Sequence, residues 1–305
     1  MAILAGDIGA TKTILAIYDS HGQLAKKRFA SKGYRSFYAM LREFLTGRKV
    51  TRACFGAPGP VINGSVKATH LRWTLNEHKL RKMLGCPVKL INDVEAMARG
   101  LTHLRARDTV LLFGKHSTGT KALLAPGTGL GMAFLTPHEV IASEGGHADF
   151  APMNELELKF KTFLRKKLAY AGTEAVLSGP GLLNIHEFLT HKRLDSPAMV
   201  TDGASRNDKR CIKTVTLFLR VLAHETQRVA LTSKALGGVY IAGGVVRHLL
   251  PFLKKNTFAK YYLDNPRMRR LLALIPVYVV LNDELGLLGA LSCARTGLFS
   301  ASSRR

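Results

Sequence analysis

An α/β fold in two domains with a cleft between them is what the sequence predicts, and three observations carry that expectation. A short apolar strand at residues 88–92 runs into Asn92-Asp93 and then into a helix-prone stretch, an arrangement that delivers a carboxylate to the mouth of a cleft. A strand, glycine turn and strand occur twice, at residues 2–18 and 123–134, on either side of Asp93 in the chain. The length of 305 residues and 47% hydrophobic composition favour about two domains, each with its own core.

Residues 2–5 read as a strand, 6–12 as a turn and 13–18 as a strand returning antiparallel. In the turn, Gly6 and Gly9 let backbone approach an anion, Thr11 and Lys12 offer donors, and Asp7 suits a magnesium ion held through water. A plain glycine-rich hairpin fits the same spacing equally well. Residues 23–30 continue the meander, and Phe37, Met40, Leu41, Phe44 and Leu45 form an apolar stripe at helical spacing. A strand follows at 52–55. Asn63-Gly64, between Val61-Ile62 and Ser65-Val66, signals a two-residue hairpin, and Thr74-Leu75-Asn76-Glu77 reads as a capping box for a helix ending near Gly85. Asn92 and Asp93 are both favoured N-cap residues, so capping competes with catalysis as the role of Asp93.

The polar, Arg-containing stretch 102–108 reads as the junction between a small domain, residues 1–106 with 290–305, and a large domain, residues 107–289. The large domain opens on a strand at Thr109. Gly127, Thr128 and Gly129 then interrupt two apolar strands, the second candidate for holding phosphate through backbone N–H groups. In Ser143-Glu144-Gly145-Gly146-His147-Ala148-Asp149-Phe150, small residues surround three ionisable ones. A zinc set is not completed by any nearby His or Cys, whereas carboxylates and an imidazole beside glycines suit the vicinal hydroxyls of a sugar. A polar turn before a helix capped by Asn154 is the structural alternative. Glu174 precedes the helix start at Leu177-Ser178-Gly179-Pro180-Gly181 and reads either as a cleft carboxylate or as a first-turn acid. Residues 191–207, with Pro197, look like a linker on the surface, and 208–234 like a long helix with Ile212, Val215, Leu219 and Leu222 on one side. A buried strand ends in Gly243-Gly244, a turn that admits a base or ribose, or equally a tightly packed helix. A basic helix at 267–274, a strand at 277–281 and a final helix at 285–293 that returns to the first domain complete the reading, with a frayed tail at 300–305.

Composition narrows the partners. The 45 Lys+Arg against 21 Asp+Glu, a net +24, would attract polyanions at low salt. The basic residues fall in many short groups with no aromatic-interleaved platform, so a charged surface is expected and no specific nucleic-acid groove. Cys54, Cys86, Cys211 and Cys293 are scattered without a Cys-x-x-Cys pair, indicating neither a zinc cage nor a disulfide framework. Nothing approaches the roughly 18–20 apolar residues of a membrane span, and Met1 leads into a strand without a signal-peptide pattern, so a cytoplasmic protein with no membrane partner is expected.

Taken in order, Asp7-Ile8-Gly9-Ala10-Thr11, Ile91-Asn92-Asp93, Gly127-Thr128-Gly129-Leu130-Gly131, Glu144-Gly145-Gly146-His147-Ala148-Asp149-Phe150, Leu177-Ser178-Gly179-Pro180-Gly181 and Ile241-Ala242-Gly243-Gly244 resemble bacterial glucokinase, of the hexokinase-like, actin-related superfamily. The resemblance spans essentially the whole chain. It implies a two-domain hexokinase/actin-like (ribonuclease H-like) fold with an interdomain cleft, and ATP-dependent phosphorylation of the 6-hydroxyl of glucose with Mg2+. It further implies Asp93 as the base, and Asn92, Asp93, Glu144, His147 and Glu174 as ligands of the ring hydroxyls. Gly6, Asp7, Ile8, Gly9, Ala10, Thr11 and Lys12, with Gly127, Thr128 and Gly129, would hold phosphates and Mg2+, the metal through Asp7, and Gly243 and Gly244 would lie near adenosine. Glucose and ATP are the implied partners, and a homodimer is compatible with the resemblance. Three departures stand out: Ala10 where the family usually has Gly, Lys12 in place of Asn, and His70-Leu71-Arg72 in place of Asn-Leu-Pro. Lys12 is similar to the related repressor and kinase group, whose clustered-cysteine zinc motif this sequence lacks. A sugar-binding regulator on the same fold and a kinase with a broader hexose or glucosamine range remain the competing readings.

Overall fold

A computed structural model describes residues 1–69, 71–253 and 257–296. His70 and the tail at 300–305 lie outside the described residues. The chain divides into two compact units, Met1–Arg105 with the chain from Glu284 onward, and Ala106–Asp283. The first unit contains β1 (Ile3–Ile8), β2 (Lys12–Tyr18), β3 (Gln23–Ala30), α1 (Phe37–Leu45), β4 (Arg52–Ala57), β5 (Ser65–Lys67), β6 (Thr74–Asn76), α2 (Glu77–Leu84), β7 (Val88–Asn92) and α3 (Asp93–Gly100). The second runs through β8 (Thr109–Phe113), β9 (Lys121–Pro126), β10 (Leu130–Leu135), β11 (Val140–Ser143), α4 (Glu155–Leu168), α5 (Gly179–Thr190), α6 (Pro197–Ser205) and α7 (Lys209–Ser233). It finishes with β12 (Gly238–Ile241), α8 (Gly244–Leu253), α9 (Thr257–Tyr262), α10 (Arg269–Leu274) and β13 (Val277–Val280), after which α11 (Leu285–Thr296) belongs to the first unit.

The two sheets share a plan. In the first, ordered β3-β2-β1-β4-β7, an antiparallel meander is extended by two parallel strands. In the second, ordered β11-β10-β9-β12-β13-β8, β9 to β11 form the meander, β12 and β13 run parallel to β9, and β8 closes the edge antiparallel. Side-chain alternation divides the first sheet's residues between two cores. Leu4, Leu15, Phe55 and Leu90 join Phe37, Leu41 and Trp73 in one, while Ala5, Ala16, Cys54 and Ile91 meet Ala96 of α3 and Ala290 and Ala294 of α11 in the other. The small residues of this second face let α11 lie almost on α3. A methyl at Gly289 would be driven into the Ala96 carbonyl, and one at Gly100 into the Leu285 carbonyl. All four cysteines are free and buried.

Several elements differ from the sequence reading. β1 continues through Gly6, Asp7 and Ile8, which pair with Leu15, Ile14 and Thr13, so the first turn is only Gly9–Thr11 in extent and Lys12 already belongs to β2. The Asn63-Gly64 turn forms with φ of 48° and 68°, but only an isolated Ile62–Ser65 bridge precedes it; the ladder of β5 is with β6. The expected capping box at Thr74 is absent, because residues 74–76 are committed to that ladder. Asn76 caps α2 instead, accepting from Lys79 N at 3.0 Å. Glu77 turns inward, accepting from Leu90 N at 2.9 Å and from Arg81 at 2.8 Å. The linker expected at 191–207 holds α6, begun by Pro197 at its first turn, where a missing N–H costs nothing, and anchored through buried Val200 and Ala204. The long helix behaves as expected at Val215 and Leu222, which are buried, with Asp208 as its N-cap.

The α3–α11 contact yields a stability prediction. Gly289→Ala should lower the free energy of unfolding by about 1–3 kcal/mol or more, since backbone blocks the added methyl. Gly33→Ala, where nothing lies within 4 Å, should be nearly neutral in the same urea titration.

Candidate active-site residues in each unit

In the first unit the sequence brings two strand ends together. β4 and β7 run parallel from Ala53↔Val88 to Ala57↔Asn92, so the turn after β4 and the start of α3 emerge side by side. Asn92 is the N-cap of α3: its Oδ1 accepts from Val94 N at 2.8 Å and Glu95 N at 3.2 Å, and its amide donates to the Gly59 carbonyl at 3.1 Å. Asp93 is therefore the first residue of the helix and not its cap. Its Oδ1 accepts from Val94 N at 2.9 Å. Beneath it, Gly56 of β4 has no room for a side chain, since a methyl there would sit 2.8 Å from Ala96 Cβ and 3.7 Å from Asp93 Cα.

The β1–β2 turn sorts its residues by contact. Ile8 is fully buried in the core, and a methyl at Gly6 would lie 2.6 Å from Phe55, so both pack within the sheet and core. Asp7 approaches the first turn of α11: a methyl at Gly286 would be 2.8 Å from the carboxylate carbon. The turn itself is closed by Gly9 N donating to the Lys12 carbonyl at 3.0 Å, and a methyl on Gly9 would meet that same carbonyl. Behind it stands Ser31, fully buried, whose hydroxyl donates to the Gly9 carbonyl at 2.6 Å and pairs with Thr13 Oγ1 at 2.9 Å, while its N–H donates to the Thr11 carbonyl at 3.0 Å. Ser31 lies 22 residues beyond Gly9 and belongs to no motif, so the sequence held no signal for it. Ala10, Thr11 and Lys12 remain partly or fully exposed.

In the second unit Gly127 donates to the Gly129 carbonyl at 2.8 Å and accepts from Gly179 N at 2.8 Å, tying the turn to the N-terminus of α5, where Ser178 is the cap. Thr128 is exposed, and nothing lies within 4 Å of a methyl placed on Gly127 or on Gly244. Gly243, with φ of 104°, instead packs on the Pro126 carbonyl, so the two adjacent glycines have different tasks: one closes backbone against the Gly127–Gly129 turn and the other faces open space. Glu144 and His147 flank a short 3-10 turn with Glu144 Oε2 3.9 Å from His147 Nε2, and both side chains are more than half exposed. That loop is sewn to the Glu174 segment by Phe150 N to the Ala171 carbonyl and Thr173 N to the Ala148 carbonyl, each 2.8 Å. Asp149, whose carboxyl is drawn below its ordinary value by the hydrogen bond from Lys161 and by the charges of Lys161 and Arg165, holds the loop to α4. Glu174 Oε2 accepts from Leu130 N at 2.9 Å.

These groups suit a polyol and a nucleotide. The side-chain-free surfaces at Gly127 and Gly244 leave space against backbone. No group of three or more His, Cys, Asp or Glu capable of holding a metal occurs among the described residues. Asp7 as a single carboxylate fits Mg2+ carried mainly by phosphates and water, as that ion prefers.

Two mixed sheets of the same plan, each presenting a glycine turn, have the architecture of the actin-like ATPase fold to which sugar kinases belong. A glucokinase from an Antarctic psychrotroph has the same architecture, with a TM-score of 0.86 and 26% identity over 97% of this chain and 99% of that one. An 18% identical glucokinase from Streptomyces griseus, crystallised with glucose and AMPPNP, superposes with a TM-score of 0.63 over 97% of this chain and 100% of its own. The glucokinase of Nostoc sp. PCC 7120 is 34% identical across 96% of this chain and 98% of its own length. The sequence model of the glucokinase family matches residues 4–297, and the chain belongs to that family. Its activity is ATP-dependent phosphorylation of glucose. No described helix is long and apolar enough to cross a membrane.

Ser31→Ala leaves the Gly9 carbonyl without its hydroxyl donor, at a cost of about 1–3 kcal/mol. The expected outcome is a raised KM for ATP with a nearly unchanged KM for glucose, read from steady-state titrations of each substrate.

Proposed function

We propose that Asp93 is the general base of this kinase, taking the proton of the glucose 6-hydroxyl as that oxygen attacks the γ-phosphorus of ATP. The observation that carries the assignment is the division of labour at the end of β7: Asn92 caps α3, so Asp93 is not needed for capping. Gly56 and the Asn92–Gly59 hydrogen bond hold the start of α3 against β4, which fixes the main chain from which the carboxylate projects. Phosphoryl transfer passes through a loose transition state, so alignment and charge neutralisation are what a protein contributes.

The remaining roles follow from chemistry. Glu144, His147 and Glu174, with Asn92 and Asp93, take the sugar hydroxyls. Backbone N–H groups of the Gly9–Thr11 and Gly127–Gly129 turns, other than those of Gly9 and Gly127 that close the turns, meet phosphate oxygens, and Lys12 adds a cation beside the first turn. Gly244 offers its open side to the adenosine. Mg2+, when bound, neutralises the β- and γ-phosphate oxygens, and Asp7 is the carboxylate that would hold it through water. Dependence on ATP supports a cytoplasmic location. Glucose and the ATP analogue AMPPNP in the Streptomyces griseus complex support glucose and ATP as the substrates here.

Asp93→Ala and Asp93→Asn should each lower kcat by about 10²–10⁴-fold. Affinity for AMPPNP, measured by calorimetry, should remain close to wild type in both. Turnover within a few-fold of wild type in a coupled glucose 6-phosphate assay would remove Asp93 from the role of base.

A further inference from the structure

Leu130 opens β10 directly after the second glycine turn, and its main chain is where three motifs meet. The N–H donates to Glu174 Oε2 at 2.9 Å. The carbonyl lies against Gly146 so closely that a methyl on that glycine would be driven into it. The same Oε2 covers Gly129, where a methyl would collide with it and lie 3.1 Å from the carboxylate carbon. The main chain around Glu174 is equally fixed, since Ser178 Oγ donates to its carbonyl at 2.7 Å and Thr173 N–H donates to Ala148. Oε1, by contrast, accepts no hydrogen bond among the described residues, and the side chain is only half-buried.

From this geometry we infer that Glu174 couples the two substrates. Oε1 receives a sugar hydroxyl while Oε2 holds the Gly127–Gly129 turn in the shape that receives phosphate, so sugar and nucleotide each strengthen the binding of the other. The inference rests on the proposed assignment of Glu174 to the sugar and of the turn to phosphate. Its physical content is a single planar carboxylate with two working edges. A hydroxyl donating to Oε1 restricts the side-chain torsions that also place Oε2, and the Leu130 N–H bond restricts them from the other side. Linkage makes the effect reciprocal: the factor by which glucose raises nucleotide affinity equals the factor by which nucleotide raises glucose affinity. The acceptor on the phosphate-turn side is one that glutamine can also provide, whereas the acceptor presented to the sugar becomes an amide donor.

Calorimetry on the full chain tests this, titrating Mg-AMPPNP with and without saturating glucose, and glucose with and without saturating Mg-AMPPNP. Wild type should show reciprocal enhancement of about fivefold or more. Glu174→Ala should weaken Mg-AMPPNP binding in the absence of sugar and abolish the enhancement. Glu174→Gln should restore sugar-free nucleotide affinity to near wild type, because its amide oxygen can accept from Leu130 N–H, while glucose affinity stays low. That rescue separates positioning from a general loss of structure, which would depress both variants alike. If Glu174→Ala loses glucose affinity but binds Mg-AMPPNP as wild type does without sugar, the coupling is overturned and the sugar assignment stands. If neither affinity changes, both fall. Equal enhancement in wild type and Glu174→Ala also overturns the coupling.

Discussion

Backbone packed on backbone, with no side chain between, is the constraint on which both sets of functional groups depend. In the first unit α11 rests on α3 through Gly289 and Gly100, and Gly286 of the same helix comes up against the Asp7 carboxylate. Gly56 likewise lets the start of α3 close on β4 beneath Asp93, there against the Ala96 methyl. In the second, Gly146 lies on the Leu130 carbonyl, Gly243 on that of Pro126 and Gly181 on that of Val176. Contacts of this kind have little freedom to relax, because peptide units cannot change rotamer as side chains do. The groups they carry are held within narrow limits before substrate arrives, which is what alignment-dominated catalysis requires.

The same constraint explains what could be read in advance. Strands around Asp93, the glycine turn after β9, the cap at Asn154, the long helix from 208 and the core stripe of α1 depend on local pattern, and local pattern was enough to find them. Failures occurred where a distant partner decided the outcome. Thr74 looked like a cap until pairing with β5 claimed it, and Asn76 replaced it. Residues 6–8 read as part of a turn, but the β2 ladder and Phe55 take Gly6 and Ile8 into the sheet and core. Ser31 and the Leu130 N–H carry no motif at all, because one acts from across a sheet and the other through its peptide. Pro197 marked a break in the chain correctly, yet the break was the start of a helix.

Part of the large positive charge has a structural use. β3 is an edge strand of the first sheet and carries Lys26, Lys27 and Arg28, largely exposed, where charged side chains discourage pairing with another chain. Lys26 and Arg28 reach Glu284, and Lys27 reaches Glu43, whose carboxyl is lowered by the hydrogen bonds from Lys27 and Tyr34. Exposed pairs of this kind contribute little to stability. They leave the edge soluble without consuming core residues.

The position of α11 in the chain has a consequence for biosynthesis. Ala106–Asp283 is one continuous segment, whereas the first unit needs α11, the source of Leu287, Ala290 and Ala294 in its alanine-rich core and of the glycine beside Asp7. Domains emerging from the ribosome tend to fold as units in order of synthesis. Here that order is inverted: the segment translated first must wait, with one face of its sheet uncovered, until the later segment has been made. A nascent chain halted before residue 285 would therefore expose that face to chaperones, while the residues of the second unit were already complete.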